Sequence, residues 1–203
     1  MATWTRTLTR PDGQGFRFDP GSFAMELLVS GGPGELRVFE ELHAPDDLAA
    51  WLADSRLTAT APFTAADVRV TEAELHAVKE LRDAFWGVAR ALAHGDDLPP
   101  VGVDALNAAT AETPRPVVDP VTRALTWAKP ITGTQVLGAA ARDAVELVAR
   151  GGVRECSASN CGLLFVDTSR SGNRRWCSME RCGNRHKVRA HRARHETEPA
   201  DAQ

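Results

Sequence analysis

Four cysteines, Cys156, Cys161, Cys177 and Cys182, are the residues of this chain whose type and spacing point most directly to chemistry. They follow the pattern Cys-x4-Cys-x15-Cys-x4-Cys, and none occurs in the first 155 residues. Four thiolates complete a tetrahedron around Zn²⁺ and leave no open position, which marks a structural ion rather than a catalytic one. Two clustered pairs in a cytosolic chain favour metal over disulfides. A rival set, Cys177, Cys182, His191 and His195, would imitate a two-Cys, two-His finger. Its Cys182–His191 gap of eight residues is short, against about twelve in that motif, and it strands Cys156 and Cys161.

The surrounding segment supports an ion on physical grounds. Residues 153–195 offer little core beyond Leu163, Leu164, Phe165, Val166, Trp176 and Met179. A unit of about forty residues rarely buries enough apolar surface to fold alone. Structural zinc supplies roughly 10–16 kcal/mol of binding energy, which becomes folding energy. One structural Zn²⁺ is therefore the expected cofactor.

Charge is distributed unevenly around those ligands. Residues 1–153 hold 14 Lys+Arg and 21 Asp+Glu, whereas residues 154–195 hold 10 and 3. A mildly acidic body thus carries a compact basic module, the usual electrostatic footprint of a part that meets phosphate. Drawn as one α-helix from Ser178 to His195, the wheel puts Arg181, Arg185, Arg189 and Arg192 in one sector. Met179, Cys182, His186, Ala190 and Ala193 gather on the inner side. Guanidinium forks match phosphate oxygens and the guanine edge. Arg170, Arg174 and Arg175 on the hairpin turn, with Lys187, extend the surface. Asn184 could read an adenine edge or cap a local turn. DNA is the expected partner. A protein-interaction module binding an acidic partner is the alternative, and an enzyme with a site hidden in the body is a second one.

Within the module, "CSASNCG" reads as a knuckle and "LLFVD" as a strand. "TSRSGN" reads as a turn, "RRW" as a returning strand, and Ser178 as the start of the basic helix. That order is a treble-clef-like finger.

The elements that must carry this module lie upstream. "SFAMELLVS" and "ELRVF" around "GGPG" read as short strands about a turn. "APDDLAAWLADSRL" reads as a short helix. "TEAELHAVKELRDAFWGVARALAHG" is the clearest helix, with a Thr71/Glu74 capping box, an apolar stripe from Leu75 to Leu92 and Gly95 to end it. A helix is expected after Pro100, a hairpin joins Val117–Val118 to Ala124–Trp127, and "TGTQVLGAAARDAVELVARGG" is a further helix. The fold class is α+β. A mainly helical domain with small β-hairpins spans 1–152, the zinc finger spans 153–195, and a disordered acidic tail spans 196–203. No catalytic residue is expected: His43, His76 and His94 are isolated, and no phosphate loop, dinucleotide fingerprint or nucleophile elbow occurs. With no run of about 18 apolar residues and no secretory start, a cytoplasmic location and no membrane contact are expected.

The run from Trp176 to Lys187, with Cys156, Cys161, Phe165 and Asp167 before it, resembles the bacterial CGNR-type zinc finger proteins. The tetrapeptide of that name stands at Cys182–Arg185. The resemblance implies that the four cysteines ligate zinc and that the basic helix meets DNA. Members are described as stress-responsive transcription regulators. They usually carry an N-terminal ABATE domain, which residues 16–150 resemble in layout. That domain's opening strand commonly reads Leu-Asp-Phe-x-Asn-Thr, whereas this chain reads "MELLVS", with Glu26 for the Asp and Val29 for the Asn. The N-terminal part is expected to sense a small-molecule effector or to pair subunits into a homodimer, since a single finger binds weakly.

Overall fold

The computed structural model describes residues 4–9, 13–110 and 112–196. Its body is organised by one long helix, α3 (Glu72–His94). The Thr71 hydroxyl accepts from the Glu74 N–H, the Glu74 carboxylate returns a bond to the Thr71 N–H, and Gly95 ends the helix at φ 74°. Leu75, Val78, Leu81, Phe85, Val88 and Ala89 form the buried stripe that the periodicity predicts. Against it pack α4 (Pro100–Ala108) and α5 (Gly133–Arg150). Glu74 also accepts from the N–H and hydroxyl of Thr134, both at 2.9 Å, joining the starts of α3 and α5. Burial pushes this carboxyl up, but those bonds and the ones from Thr71 outweigh it and hold it below its ordinary range.

Around this three-helix core lie α2 (Pro45–Ala53) and small sheets. β3 (Val68–Arg69) runs parallel to β6 (Ile131–Thr132), bracing the entries to α3 and α5. β4 (Pro116–Val118) and β5 (Leu125–Trp127) form the expected antiparallel hairpin.

The N-terminal segment departs from expectation. The apolar run "SFAMELLVS" forms α1 (Phe23–Leu27), not a strand. Ser22 caps it by accepting from the Met25 N–H, and all five helical residues are buried, packed against α5 and β8 (Leu164–Val166). Continuous burial erased the periodicity that separates helix from strand. "ELRVF" lies in a 3₁₀ turn, Gly34–Phe39, that leaves Val38 and Phe39 exposed. The strands of this region lie earlier: β1 (Arg6–Thr9) pairs antiparallel with β2 (Gly15–Phe18).

Glu26 lies in α1, fully buried, rather than in an opening strand. Arg6 Nε reaches it at 2.6 Å and the Arg56 N–H at 3.0 Å, while the Arg6 guanidinium stacks 3.7 Å from the Trp51 ring centroid. Burial raises this carboxyl to about 7 despite Arg6.

Two left-handed glycines, Gly151 (φ 71°) and Gly152 (φ 87°), follow α5 and turn the chain into β7 (Val153–Glu155). β7 pairs with β8 in the register Val153↔Val166. Val153, Leu164 and Val166 belong to the body's apolar cluster, so the base of this hairpin is rooted in the body. His94 at the end of α3 meets Glu155 at 2.7 Å. The acidic tail lies outside the described residues from 197 onward.

Candidate metal centre and basic helix

The β7–β8 hairpin brackets the first ligand pair. The Cys156 N–H donates to the Leu163 carbonyl at 3.0 Å and the Cys161 N–H to the Ala158 carbonyl at 3.0 Å, closing a tight knuckle between them. The strand expected at "RRW" does not form. β8 takes its partner from β7, ahead of the knuckle, because Val153–Glu155 already lies against the body. The 174–176 segment is held instead by single contacts, including Ser157 N–H to the Arg175 carbonyl at 2.9 Å.

Of the second pair, Cys177 lies in the loop just before Ser178 and Cys182 rides on a π-helical turn, Met179–Gly183, that leads into α6 (Asn184–Glu196). Gly183 is buried here, and a Cβ on it would lie 2.8 Å from Met179 Sδ and 3.5 Å from Trp176 Cδ1. The Asn184 amide donates to the Glu180 carbonyl at 3.3 Å, the local capping role.

These elements bring all four sulfurs together. The Sγ atoms lie within 4.8 Å of one another and all four residues are buried. Cys161 and Cys177 are 3.7 Å apart, Cys177 and Cys182 3.5 Å. A tetrahedron with Zn–S bonds of about 2.3 Å has an edge of about 3.8 Å, whereas a disulfide needs about 2.05 Å. The donor set therefore fits one structural Zn²⁺ and not a pair of disulfides. The Cys177 N–H donates to Cys156 Sγ at 3.4 Å, the kind of outer bond that orients a metal thiolate. The buried thiols are coupled to one another: hydrogen bonds from Cys161 and Cys177 hold the Cys156 thiol down, and the contact with Cys156 pushes Cys161 and Cys177 up. Four thiolates gathered in one buried place need a divalent ion among them.

Behind the sulfurs stands a wall that the sequence did not reveal. Phe16 and Phe18 of β2 join Phe165 and the four cysteines in one buried cluster, with Phe18 and Phe165 fully buried. The signal was the alternation of "GFRF", which marks a strand but not its distant partner. The connection behind β2 is tight. The Val166 N–H donates to the Pro20 carbonyl at 2.9 Å, and Gly21, at φ 92°, passes so near that a Cβ would lie 2.7 Å from Val166 Cβ.

The same wall redirects two arginines. Arg174 donates to the carbonyls of Trp176 (3.1 Å), Asp19 (2.9 Å) and Cys177 (2.7 Å), and stacks 4.1 Å from the Phe165 centroid. It pins the hairpin's exit to the ligand loop. Asp167 closes that loop by accepting from the Ser169 and Arg174 N–H groups. Arg181, expected on the outer stripe, is 6% exposed with its guanidinium 4.7 Å from the Phe16 centroid. The reason is the π turn: its wider winding shifts the phase that a uniform α-helical wheel assumes. The same shift exposes Met179, which was expected inside.

Beyond the turn the arginines keep their common side, whereas His186, expected on the inner face, is exposed. Arg185, Arg189 and Arg192 share one side of α6, with Arg189 and Arg192 exposed and Arg185 half-buried. Lys187, His191 and Arg175 are exposed. His186 faces Trp176 at 4.8 Å, and Arg175 covers the same indole at 5.2 Å, so the indole ties α6 to the ligand loop. The side chains of Ala190, Ala193 and His195 lie outside the described residues.

A four-cysteine metal site that orders a basic helix, built onto a mainly helical body, defines the class: a zinc finger protein. Family models assign both parts. Residues 153–195 match the CGNR zinc finger, and residues 21–151 match ABATE, described as "Putative stress-induced transcription regulator". The chain belongs to this ABATE family and carries its CGNR finger. Neither description is that of an enzyme. No curated protein matches the chain at a significant level. The β1–β2 hairpin precedes both matched ranges, although its phenylalanines complete the zinc core. No described helix is long and apolar enough to cross a membrane.

Proposed function

We propose that this protein is a cytoplasmic transcription regulator that binds DNA through α6, with a body, residues 1–152, that senses an effector or pairs subunits. The observation that carries the reading is the outward stripe Arg185, Arg189 and Arg192, mounted on a metal-ordered base within a segment of net charge +7 beside a body of net charge −7. Those three side chains, with Arg175 and Lys187, meet phosphates or a groove edge. Asn184 caps its turn, and Arg174 and Arg181 act from behind by fixing the loop and the first turn. Zinc supplies structure and no step of chemistry.

Counterion release gives the test. Neutralising roughly five phosphates predicts a log–log salt slope of about −4.5, and removing two contacts should flatten it by about two. Fluorescence anisotropy with duplex DNA, comparing the native chain with Arg189→Ala/Arg192→Ala, reads both values. A slope unchanged by the substitutions removes α6 from the interface. Binding to an acidic polypeptide that duplex DNA does not displace favours the protein-interaction alternative instead.

A further inference from the structure

A cavity of about 360 Å³ opens where three parts of the chain meet. Leu8 and Phe16 come from the β1–β2 hairpin, Leu28 and Trp86 from the body, and Gly162 and Leu163 from the zinc knuckle. Its size falls in the usual range for small-molecule sites, and its lining is mainly apolar with few polar groups, as such sites are. The 3₁₀ turn Gly34–Phe39 forms the lip, and it holds Val38 78% and Phe39 42% exposed at the opening. Apolar side chains left in water at the mouth of an apolar cavity mark a surface that gains from being covered.

The polar lining has one sign. Glu40 and Glu41 are its charged groups, and no described Lys or Arg lines it. Glu40 is already committed: Arg82 reaches its two oxygens at 3.0 and 2.8 Å, Lys79 approaches to 3.4 Å, and the Leu42 N–H donates at 3.0 Å. Glu41 uses its backbone N–H on the Ser30 carbonyl, but its side chain makes no hydrogen bond or ion pair with another described residue. Burial pushes its carboxyl up, with Arg6 acting against that. One carboxylate beside the apolar wall is therefore available to a ligand.

We propose that this cavity binds a small hydrophobic organic cation, its apolar part among Phe16, Leu28, Trp86 and Leu163 and its charge against Glu41. The inference deepens the sensing role proposed for the body. Two of the walls lead directly to the finger. The Leu163 carbonyl receives the Cys156 N–H at 3.0 Å, and Phe16 carries the Arg181 guanidinium on its ring at 4.7 Å. A ligand packed on Leu163 and Phe16 thus steadies the first ligand loop and the turn that launches α6.

The test needs no DNA, so it stands or falls apart from the DNA-binding reading. The full zinc-loaded chain is titrated with three fluorescent probes of similar size: the cation 4-[4-(dimethylamino)styryl]-N-methylpyridinium, neutral N-phenyl-1-naphthylamine, and anionic 1-anilinonaphthalene-8-sulfonate. The proposal expects one saturable site, tightest for the cation and weakest for the anion. Glu41→Gln should weaken the cation about tenfold, the size of one charge-assisted hydrogen bond, and leave the neutral probe unchanged. Thr9→Trp and Val38→Trp, both at exposed positions on the rim, should each abolish binding of all three. Absence of a saturable site, binding that survives both Trp substitutions, or a cation affinity unmoved by Glu41→Gln overturns the site as proposed. The cation should also slow zinc transfer to a chelator in the native chain but not in Thr9→Trp; an unchanged rate overturns the link to the finger.

Discussion

The body and the finger are held together by different means. In the body, three helices bury a continuous apolar cluster, and the stripes of α3 and α5 are written in the sequence. In the finger, the ligand loops and α6 contribute almost no apolar stripe; the inner wall is four sulfurs, Phe165 and two phenylalanines borrowed from a hairpin about 140 residues upstream. The difference teaches that the finger is ordered from two directions, by its ion in front and by the chain's N-terminus behind. Cooperativity should follow that division: injury to the metal or the hairpin should travel to α6 and leave α3 and α5 standing.

The largest break in this comparison should come at a ligand. Cys177→Ser removes a sulfur lying 3.5–3.7 Å from two others. Zinc content should fall well below one per chain and DNA binding should vanish, while thermal unfolding of the helical body stays close to native. Metal analysis, anisotropy and circular dichroism read the three.

Phe18→Ala comes next. A fully buried phenylalanine costs about 3–5 kcal/mol on truncation. That cost should appear as faster zinc transfer to a chelator and looser α6, although residue 18 lies far from every ligand in sequence. A loss confined to the body's melting temperature would mean that the hairpin belongs to the body alone.

A smaller effect sharpens the body's side. Glu26, raised from 4.5 to about 7 by burial, holds its proton more tightly in the folded chain. Its contribution to stability is complete below about pH 4.5 and is lost as pH rises through about 7. Glu26→Gln should flatten that decline between pH 4.5 and 7, by an amount on the order of 2 kcal/mol, as read by urea unfolding at several pH values. The zinc-transfer rate should not follow it.

What could be read in advance divides along the same line. The helices α3 and α5 were legible because apolar residues recur at three and four between capping signals, and α4 because a proline stands at its start. The metal ligands were legible because thiolate chemistry fixes both residue type and number. Where reading failed, the missing information was non-local or broke a regular period. α1 is buried on every side, so it carries no alternation to interpret. Arg181 turned inward because one π-helical turn shifted the wheel. β8 chose β7 because the body had already placed that strand. The meeting of Phe16 and Phe18 with the cysteines depends on tertiary packing, and no local pattern encodes it.

The account rests most directly on amide hydrogen exchange of the native, zinc-loaded chain before and after chelation. It predicts that residues 156–162 and 174–196 lose protection when the metal leaves, that β7 and β8 lose part of theirs, and that α3 and α5 keep theirs. Protection of α6 that survives removal of the metal, or α3 and α5 opening together with it, would contradict the account.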